Sequence, residues 1–200
     1  MRAFGIFAVL MLAGCAASDT TPMPPLAGVR CPAAGTAVTY SSGSTGWYQG
    51  EDPADPGVCL YTSPRGERQR YLGVLFQVPR LEERQTRVGL APLFPLAVGK
   101  EATWRGALRP QTPGTWSAER GIPTNYRARV VEMRNVNIGS ETRRAYAVEV
   151  SMHNLPVNSR QSYTVLIDER TGVDLGSTGA EDVGGIARVA PYHVVRMGAP

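Results

Sequence analysis

Apolar and polar residues alternate with a period of two along most of this chain, and this pattern predicts β-strands. The clearest case is Arg144–His153, where Tyr146, Val148, Val150 and Met152 fall on one face of the predicted strand. Because the alternate positions are mostly polar, this strand should bury one face and expose the other. No segment has the longer apolar period of an extended amphipathic helix.

Similar patterns recur at short intervals, separated by clusters of glycine, proline and serine that indicate turns. Tyr126–Ile138 is unusual because its apolar positions change phase along the segment, which predicts a β-bulge or strong curvature. Pro79–Val88 is polar and is compatible with one or two helical turns. The other clear predicted strands are Thr36–Tyr40, a strand that begins at Trp47, Val58–Thr62, Tyr71–Val78 and Ser162–Asp168.

These segments amount to about nine to ten short strands without a sequence repeat, which predicts an all-β domain. The strand pattern leaves three architectures open: a curved antiparallel sheet, a sandwich or an open barrel. The chain of 200 residues is long enough for a single domain with a sizeable core.

Two charged segments invite a functional interpretation, and the sequence favours a plain one for each. Glu51–Asp55 carries three carboxylates, but their spacing does not fit an EF-hand calcium loop, so we interpret this segment as an acidic turn. Arg80, Arg84 and Arg87 lie in a polar stretch that we interpret as a solvated face. A nucleic-acid interface would require a basic stripe with interleaved aromatic residues, so no nucleic-acid partner is predicted.

The N-terminus has the features of a targeting segment. Arg2 is followed by the uncharged apolar run Ala3–Leu12, which is shorter than the roughly 20 residues of a membrane-spanning helix. The next residues complete the sequence Leu12-Ala13-Gly14-Cys15, which resembles the lipobox of bacterial lipoproteins at all four positions. The resemblance implies that the Cys15 thiol receives a diacylglyceryl group, that the bond before Cys15 is cut, and that the new amine is often acylated, commonly with palmitate.

This resemblance implies three regions and a location in the cell envelope. Residues 1–14 would be the signal peptide, residues 15–30 the lipidated cysteine and a flexible tether, and residues 31–200 a single β-rich domain in the periplasm. The lipid anchor would hold the protein on a membrane, since two or more acyl chains bind stably. Ala16, in place of an aspartate, favours the outer membrane under the enterobacterial rule, with the inner membrane as the alternative.

The two other cysteines, Cys31 and Cys59, are predicted to form a disulfide because exported proteins fold in an oxidising compartment. Two cysteines so far apart, with only His153 and His193 elsewhere, do not have the spacing of a zinc site. The sequence therefore predicts no metal and no cofactor.

A second, shorter resemblance concerns the segment Phe94–Lys100, which precedes Trp104. Its Pro-Leu-x-x-Gly-Lys phrase is similar to one found before an aromatic strand in β-rich envelope proteins of unknown function. This similarity implies fold more than activity.

The sequence favours a structural or protein-interaction lipoprotein, whose partner would be an envelope protein or peptidoglycan. The alternative is a carrier that holds an apolar ligand or lipid in a β cavity lined by Trp104, Tyr146, Val148 and Met152, although the sequence favours a plain core role for the same residues. A third hypothesis is a cell-wall hydrolase with two inward carboxylates. The sequence contains no Gly-x-Ser-x-Gly elbow and no His-Glu-x-x-His motif, so we expect no enzyme activity and name no catalytic residue.

Overall fold

The computed structural model describes residues 23–78, 83–108, 121–156, 158–183 and 191–198. The described residues form eleven antiparallel strands in one open sheet, which confirms the predicted all-β class and its curved-sheet variant. The strands are β1 (Ala37–Tyr40), β2 (Thr45–Glu51), β3 (Val58–Thr62), β4 (Arg68–Leu72), β5 (Phe76–Gln77), β6 (Glu101–Leu108), β7 (Ile122–Ile138), β8 (Glu141–Asn154), β9 (Ser159–Asp168), β10 (Asp174–Val183) and β11 (Tyr192–Gly198).

The order of the strands across the sheet is β5-β4-β3-β2-β1-β11-β10-β9-β8-β7-β6. The first and last strands of the chain therefore pair at the middle of the sheet, and β5 and β6 form its two edges. These edges approach each other through side chains, because the ring of Phe76 in β5 packs edge-to-face on Trp104 in β6 with centroids 5.2 Å apart. The sheet is thus strongly curved, and its concave face holds the core.

The phase change predicted in Tyr126–Ile138 is confirmed as a bulge in β7. The register with β8 shifts between Val130 and Glu132, so that Val131 has no direct partner. Such a bulge increases the local twist and bend of a long hairpin.

The predicted single strand Tyr71–Val78 is wrong, because the chain reverses inside it. β4 ends at Leu72 and β5 begins at Phe76, with both Gly73 (φ 55°) and Val74 (φ 57°) in the left-handed region. A Cβ on Gly73 would lie 2.3 Å from the Cζ atom of Phe94, so this turn requires glycine. The alternating pattern spans the turn because the residues on both sides of it face the same core.

Helix α1 (Glu83–Leu90) is followed by a 3-10 turn, Ala91–Leu93, and packs against β6. Its Arg87 side chain is only 1% exposed, so our interpretation of this residue as part of a solvated face is wrong. The Nη2 atom of Arg87 lies 2.7 Å from Asp55 Oδ1 and 2.6 Å from Glu83 Oε1. Its Nη1 atom donates to the carbonyl oxygen of Pro56 at 2.9 Å.

The acidic turn is therefore more than a solvated turn, because it holds α1 to the β2–β3 connection. Arg70 joins the same cluster, with its Nη2 atom 2.6 Å from Asp55 Oδ2 and its Nε atom 3.4 Å from Asp52 Oδ2. Among the residues that the structure describes, no group of histidine, cysteine, aspartate and glutamate side chains is arranged to hold a metal ion.

The predicted disulfide is confirmed, and it joins Cys31 to Cys59 in β3. Packing begins ahead of Cys31, since Leu26 is 3% exposed and the Nη1 atom of Arg30 donates to the carbonyl oxygens of Glu169 and Arg170. The signal peptide and Cys15 lie outside the described residues. None of the described helices is long and apolar enough to cross a membrane.

Candidate functional site

The strand register places most of the tyrosines on the concave face of the sheet. Tyr48 in β2 pairs directly with Tyr61 in β3, and residues paired in this way project to the same side. Tyr40 pairs with Val194, which lies two positions from Tyr192 on β11. Six of the eight tyrosines line one cavity in this way: Tyr40, Tyr48, Tyr61, Tyr71, Tyr163 and Tyr192.

This cavity, which we call the tyrosine cavity, has a volume of about 710 Å³. That volume lies within the range of pockets that hold small molecules. Exposed residues such as Ser41, Ser42 and Pro64 form its mouth. The remaining lining residues are Ser44, Val74, Leu75, Gln77, Val165, Asp174, Ser177 and Pro191.

The tyrosine rings are held by contacts with one another. Tyr40 and Tyr192 pack edge-to-face with centroids 5.8 Å apart, and Tyr61 and Tyr71 pack in the same way at 6.2 Å. The hydroxyl oxygens of Tyr40 and Tyr61 lie 2.8 Å apart and share a hydrogen bond. Gly46 allows this arrangement, because a Cβ at that position would lie 1.9 Å from the Tyr61 hydroxyl oxygen.

Asp174 is the one carboxylate among the described lining residues of the tyrosine cavity. Its Oδ2 atom accepts a hydrogen bond from the Tyr192 hydroxyl, and its Oδ1 atom accepts one from the Gly176 amide at 2.9 Å. The backbone amide of Asp174 donates to the Tyr48 hydroxyl oxygen at 3.3 Å. Within the described part of the chain, no arginine, lysine or histidine forms an ion pair with this carboxylate.

The surroundings of Asp174 make its charge costly. Burial raises the pKa of the Asp174 carboxyl to about 6, and the hydrogen bonds from Tyr192 and Gly176 offset only part of that effect. Burial, with a smaller contribution from the Asp174 charge, also raises the pKa of Tyr71 to about 12. Burial raises the pKa of Tyr48 and Tyr192 as well, with the Asp174 charge as the next cause. The phenols are therefore neutral near physiological pH.

Ser177 lies near Asp174 on β10 and also faces the tyrosine cavity. It pairs with Val165 on one side and with Tyr192 on the other, both of which line the cavity. Ser177 is 5% exposed, and its hydroxyl has no hydrogen-bond partner among the described residues. A buried hydroxyl without a partner is uncommon in native proteins, and it is more frequent where a ligand supplies the missing bond.

A second cavity of about 660 Å³ lies along β6–β9 and includes two of the residues suggested by the sequence, Trp104 and Met152. Trp104 stacks on Tyr126 with ring centroids 5.1 Å apart and an angle of 6° between the rings. Val148 is fully buried in the core, and Tyr146 lines a separate small pocket of about 100 Å³. The structure therefore does not bring the four predicted cavity residues together at one site.

Sequence reasoning missed the tyrosine cavity because its residues come from eight different strands. The available signal was that Tyr40, Tyr48 and Tyr61 occupy inward positions on three successive strands, where aliphatic residues are the usual core. Asp174 gave no comparable signal, since an aspartate at the start of a strand is ordinary in a turn.

Comparison with known proteins adds a single fold likeness. No protein-family model matches the chain, and no curated protein matches it. The fold resembles the crystal structure of the hypothetical lipoprotein YmcC from Escherichia coli (K12). That likeness has a TM-score of 0.49 at 10% sequence identity, and it covers 82% of this chain and 87% of the other. We draw no functional argument from it.

Proposed function

We propose that this protein is a lipid-anchored envelope protein whose β domain binds a small organic molecule in the tyrosine cavity. The observation that carries the proposal is the cavity itself: about 710 Å³, lined by six tyrosines and one carboxylate, with an exposed mouth. Ligand sites are typically concave and aromatic, with a few polar groups that fix the orientation of the ligand. The lipobox supports the anchored location on the membrane.

The Ser177 hydroxyl supports the binding of a ligand over a purely structural role. A core filled to native density would leave no cavity of this size. A bound ligand would also give the Ser177 hydroxyl the partner that it lacks among the described residues. The interaction-module hypothesis remains a prediction of the sequence, and the cavity supports our preference for the carrier hypothesis. The tyrosines make the lining more polar than the apolar cavity that the carrier hypothesis described.

The single carboxylate favours binding over catalysis. Glycoside hydrolysis typically requires two carboxyl groups that flank the scissile bond, and the described lining of the tyrosine cavity provides only Asp174. We therefore propose that the tyrosine cavity binds its ligand and does not hydrolyse a glycosidic bond between two carboxyl groups.

The proposal is tested with the lipid-free chain from Ala16 onward, which retains every described residue, exported to the periplasm and purified without denaturation. Native mass spectrometry should detect a bound molecule of defined mass. N-phenyl-1-naphthylamine, a neutral dye that fluoresces in apolar cavities, should bind with a stoichiometry near one.

A pair of variants on β10 tests whether binding takes place in the tyrosine cavity or elsewhere on the surface. Ser177→Leu extends an apolar side chain into the cavity and should abolish both signals. Thr178→Leu adds the same side chain at the next position, which is exposed, and should leave both signals unchanged. Equal behaviour of the two variants, or the absence of any bound mass and dye signal in the wild type, would refute the proposal.

A further inference from the structure

The charge of the tyrosine cavity differs from that of the protein as a whole. The chain carries 21 lysine and arginine residues against 17 aspartate and glutamate residues, a formal net charge of +4. The described cavity lining nevertheless contains no arginine, lysine or histidine, and its one charged residue is Asp174. A cavity of this kind repels anions and attracts cations, although the protein surface is basic.

Asp174 has no positive partner of its own within the described residues. Its two oxygens are held by neutral donors, the Tyr192 hydroxyl and the Gly176 amide. Buried carboxylates are normally paired with a cation or hydrogen-bonded network that compensates for lost hydration. The Arg87 cluster shows that this protein supplies such a partner elsewhere, since the carboxylates of Asp55 and Glu83 both contact a guanidinium.

The tyrosine rings provide a second source of attraction for a cation. Ring faces carry negative electrostatic potential, and cations bind to them within about 6 Å of the ring centre. In an edge-to-face pair, the ring that presents its edge keeps its faces free of its partner. The Tyr40–Tyr192 pair meets at 79° and the Tyr61–Tyr71 pair at 80°, so both pairs have this geometry.

We infer that the tyrosine cavity binds an organic cation, with its ammonium group held between tyrosine faces and the Asp174 carboxylate. This inference rests on the proposed function and specifies its ligand class. The Ser177 hydroxyl, which has no partner among the described residues, is placed to bond a polar group of the same ligand.

Binding of a cation by Asp174 should depend on pH. The Asp174 carboxyl has a pKa of about 6 in the protein, and a bound cation would favour the ionised form and lower that pKa. The other titratable groups that face Asp174 are phenols, which remain neutral across the range tested. They come from six of the eight strands that line the cavity: Tyr40, Tyr48, Tyr61, Tyr71, Tyr163 and Tyr192. Among the described lining residues, β5 and β10 add no titratable group besides Asp174.

The test compares choline with 3,3-dimethylbutan-1-ol, a neutral molecule of the same shape in which carbon replaces the charged nitrogen. Calorimetric titration of the wild-type chain at pH 8 should show choline binding at least tenfold more tightly than the alcohol, roughly the size of a partly desolvated cation–π interaction. Choline binding should weaken about tenfold between pH 8 and pH 5, as Asp174 takes up a proton.

Two sets of variants assign the effect to named groups. Asp174→Asn should remove both the preference for choline and the pH dependence, whereas Glu132→Gln, an exposed carboxylate 51% accessible and outside the cavity, should change neither. Tyr163→Phe keeps the ring and should retain binding, whereas Tyr163→Leu should weaken it about tenfold. Circular dichroism confirms that each variant is folded.

The outcomes separate this inference from the proposed function. Equal binding of choline and the alcohol would overturn the inference that the ligand is a cation, but it would leave the proposed binding function intact. Recovery of a neutral molecule such as a sugar by native mass spectrometry would have the same meaning. If the protein binds the neutral dye but not choline, the cation inference is likewise overturned. If the protein binds neither the dye nor any other probe, both the cation inference and the proposed binding function are overturned.

Discussion

The pKa of Asp174 leads to a prediction about the stability of the fold. The carboxyl pKa rises from its ordinary value of 3.8 to about 6 in the folded protein. A difference of this size corresponds to about 3 kcal/mol, at roughly 1.4 kcal/mol for each pH unit. Because Asp174 keeps some accessible surface on the cavity, solvent screens its charge, and we expect about half of this value, roughly 1–2 kcal/mol.

The sign follows from which state binds the proton more tightly. Between pH 4 and 6 the folded protein holds a proton on Asp174 that the unfolded chain releases, so folding is favoured by this group at low pH. The contribution of Asp174 to the free energy of unfolding is fully present below about pH 4, decreases as the pH rises through 6, and is absent above about pH 7. Ionised Asp174 therefore makes the fold less stable at neutral pH than it would be with a neutral side chain.

Asp174→Asn tests this reasoning with almost no change of shape. The amide oxygen of asparagine can still accept a hydrogen bond from the Gly176 amide, which lies 2.9 Å from Oδ1 in the wild type. Urea unfolding, followed by tryptophan fluorescence at pH 5 and pH 8, gives the free energy of unfolding of both proteins. The variant should gain about 1 kcal/mol relative to the wild type between pH 5 and pH 8, because the wild type has already lost part of the Asp174 contribution at pH 5.

The difference between the two proteins removes the contribution of the other carboxylates to the pH dependence, because those carboxylates are the same in both. Glu132→Gln serves as a control for the loss of one exposed negative charge and should follow the wild-type pH dependence. The reasoning is refuted if wild type and Asp174→Asn lose stability in parallel as the pH rises. It is also refuted if the variant is less stable at pH 8 than at pH 5 relative to the wild type.

Three further substitutions test other parts of the structure by urea unfolding. Cys59→Ser should lower the free energy of unfolding by about 3–4 kcal/mol, because it removes a disulfide between residues 28 positions apart. Dithiothreitol should lower the free energy of unfolding of the wild type but leave the variant unchanged. Arg87→Met should cost about 3–5 kcal/mol because it leaves largely buried carboxylates without a counter-charge, whereas Arg127→Met, which breaks an exposed ion pair, should change the free energy of unfolding far less. Gly46→Ala should cost about 1–3 kcal/mol and weaken dye binding, because its Cβ would displace the Tyr61 hydroxyl; an unchanged dye affinity would contradict that placement.

Local features of the fold were predictable where local physics determines them. β3 was predicted with its observed bounds, Val58–Thr62, because a short apolar run between two turn segments has few alternative conformations. The bulge in β7 was predictable because an extra residue must shift the phase of the apolar positions. The disulfide was predictable from the number of cysteines together with the predicted export of the protein.

Features that depend on distant contacts were not predictable. Arg87 looks like any other arginine in a polar segment, and only the packing of α1 against the β2–β3 connection buries it. The reversal at Gly73 is hidden because Leu72 and Phe76 pair directly and so face the same side, as they would in a continuous strand. Trp104 and Met152 lie at one cavity, but nothing local to Tyr146 shows that it faces another.

The contrast between two buried charges bears most directly on function. Arg87 lies among carboxylates that compensate its charge, so its burial serves to attach the helix to the sheet. Asp174 has only neutral donors among the described residues, and Ser177 beside it has an unused hydroxyl. Both features cost stability, and the Asp174–Tyr192 hydrogen bond joins β10 to β11, which the strand pairing already joins. Native proteins retain such local costs chiefly at functional sites, where a ligand repays them on binding. The position of both groups in one aromatic cavity is therefore the observation that supports the proposed cation.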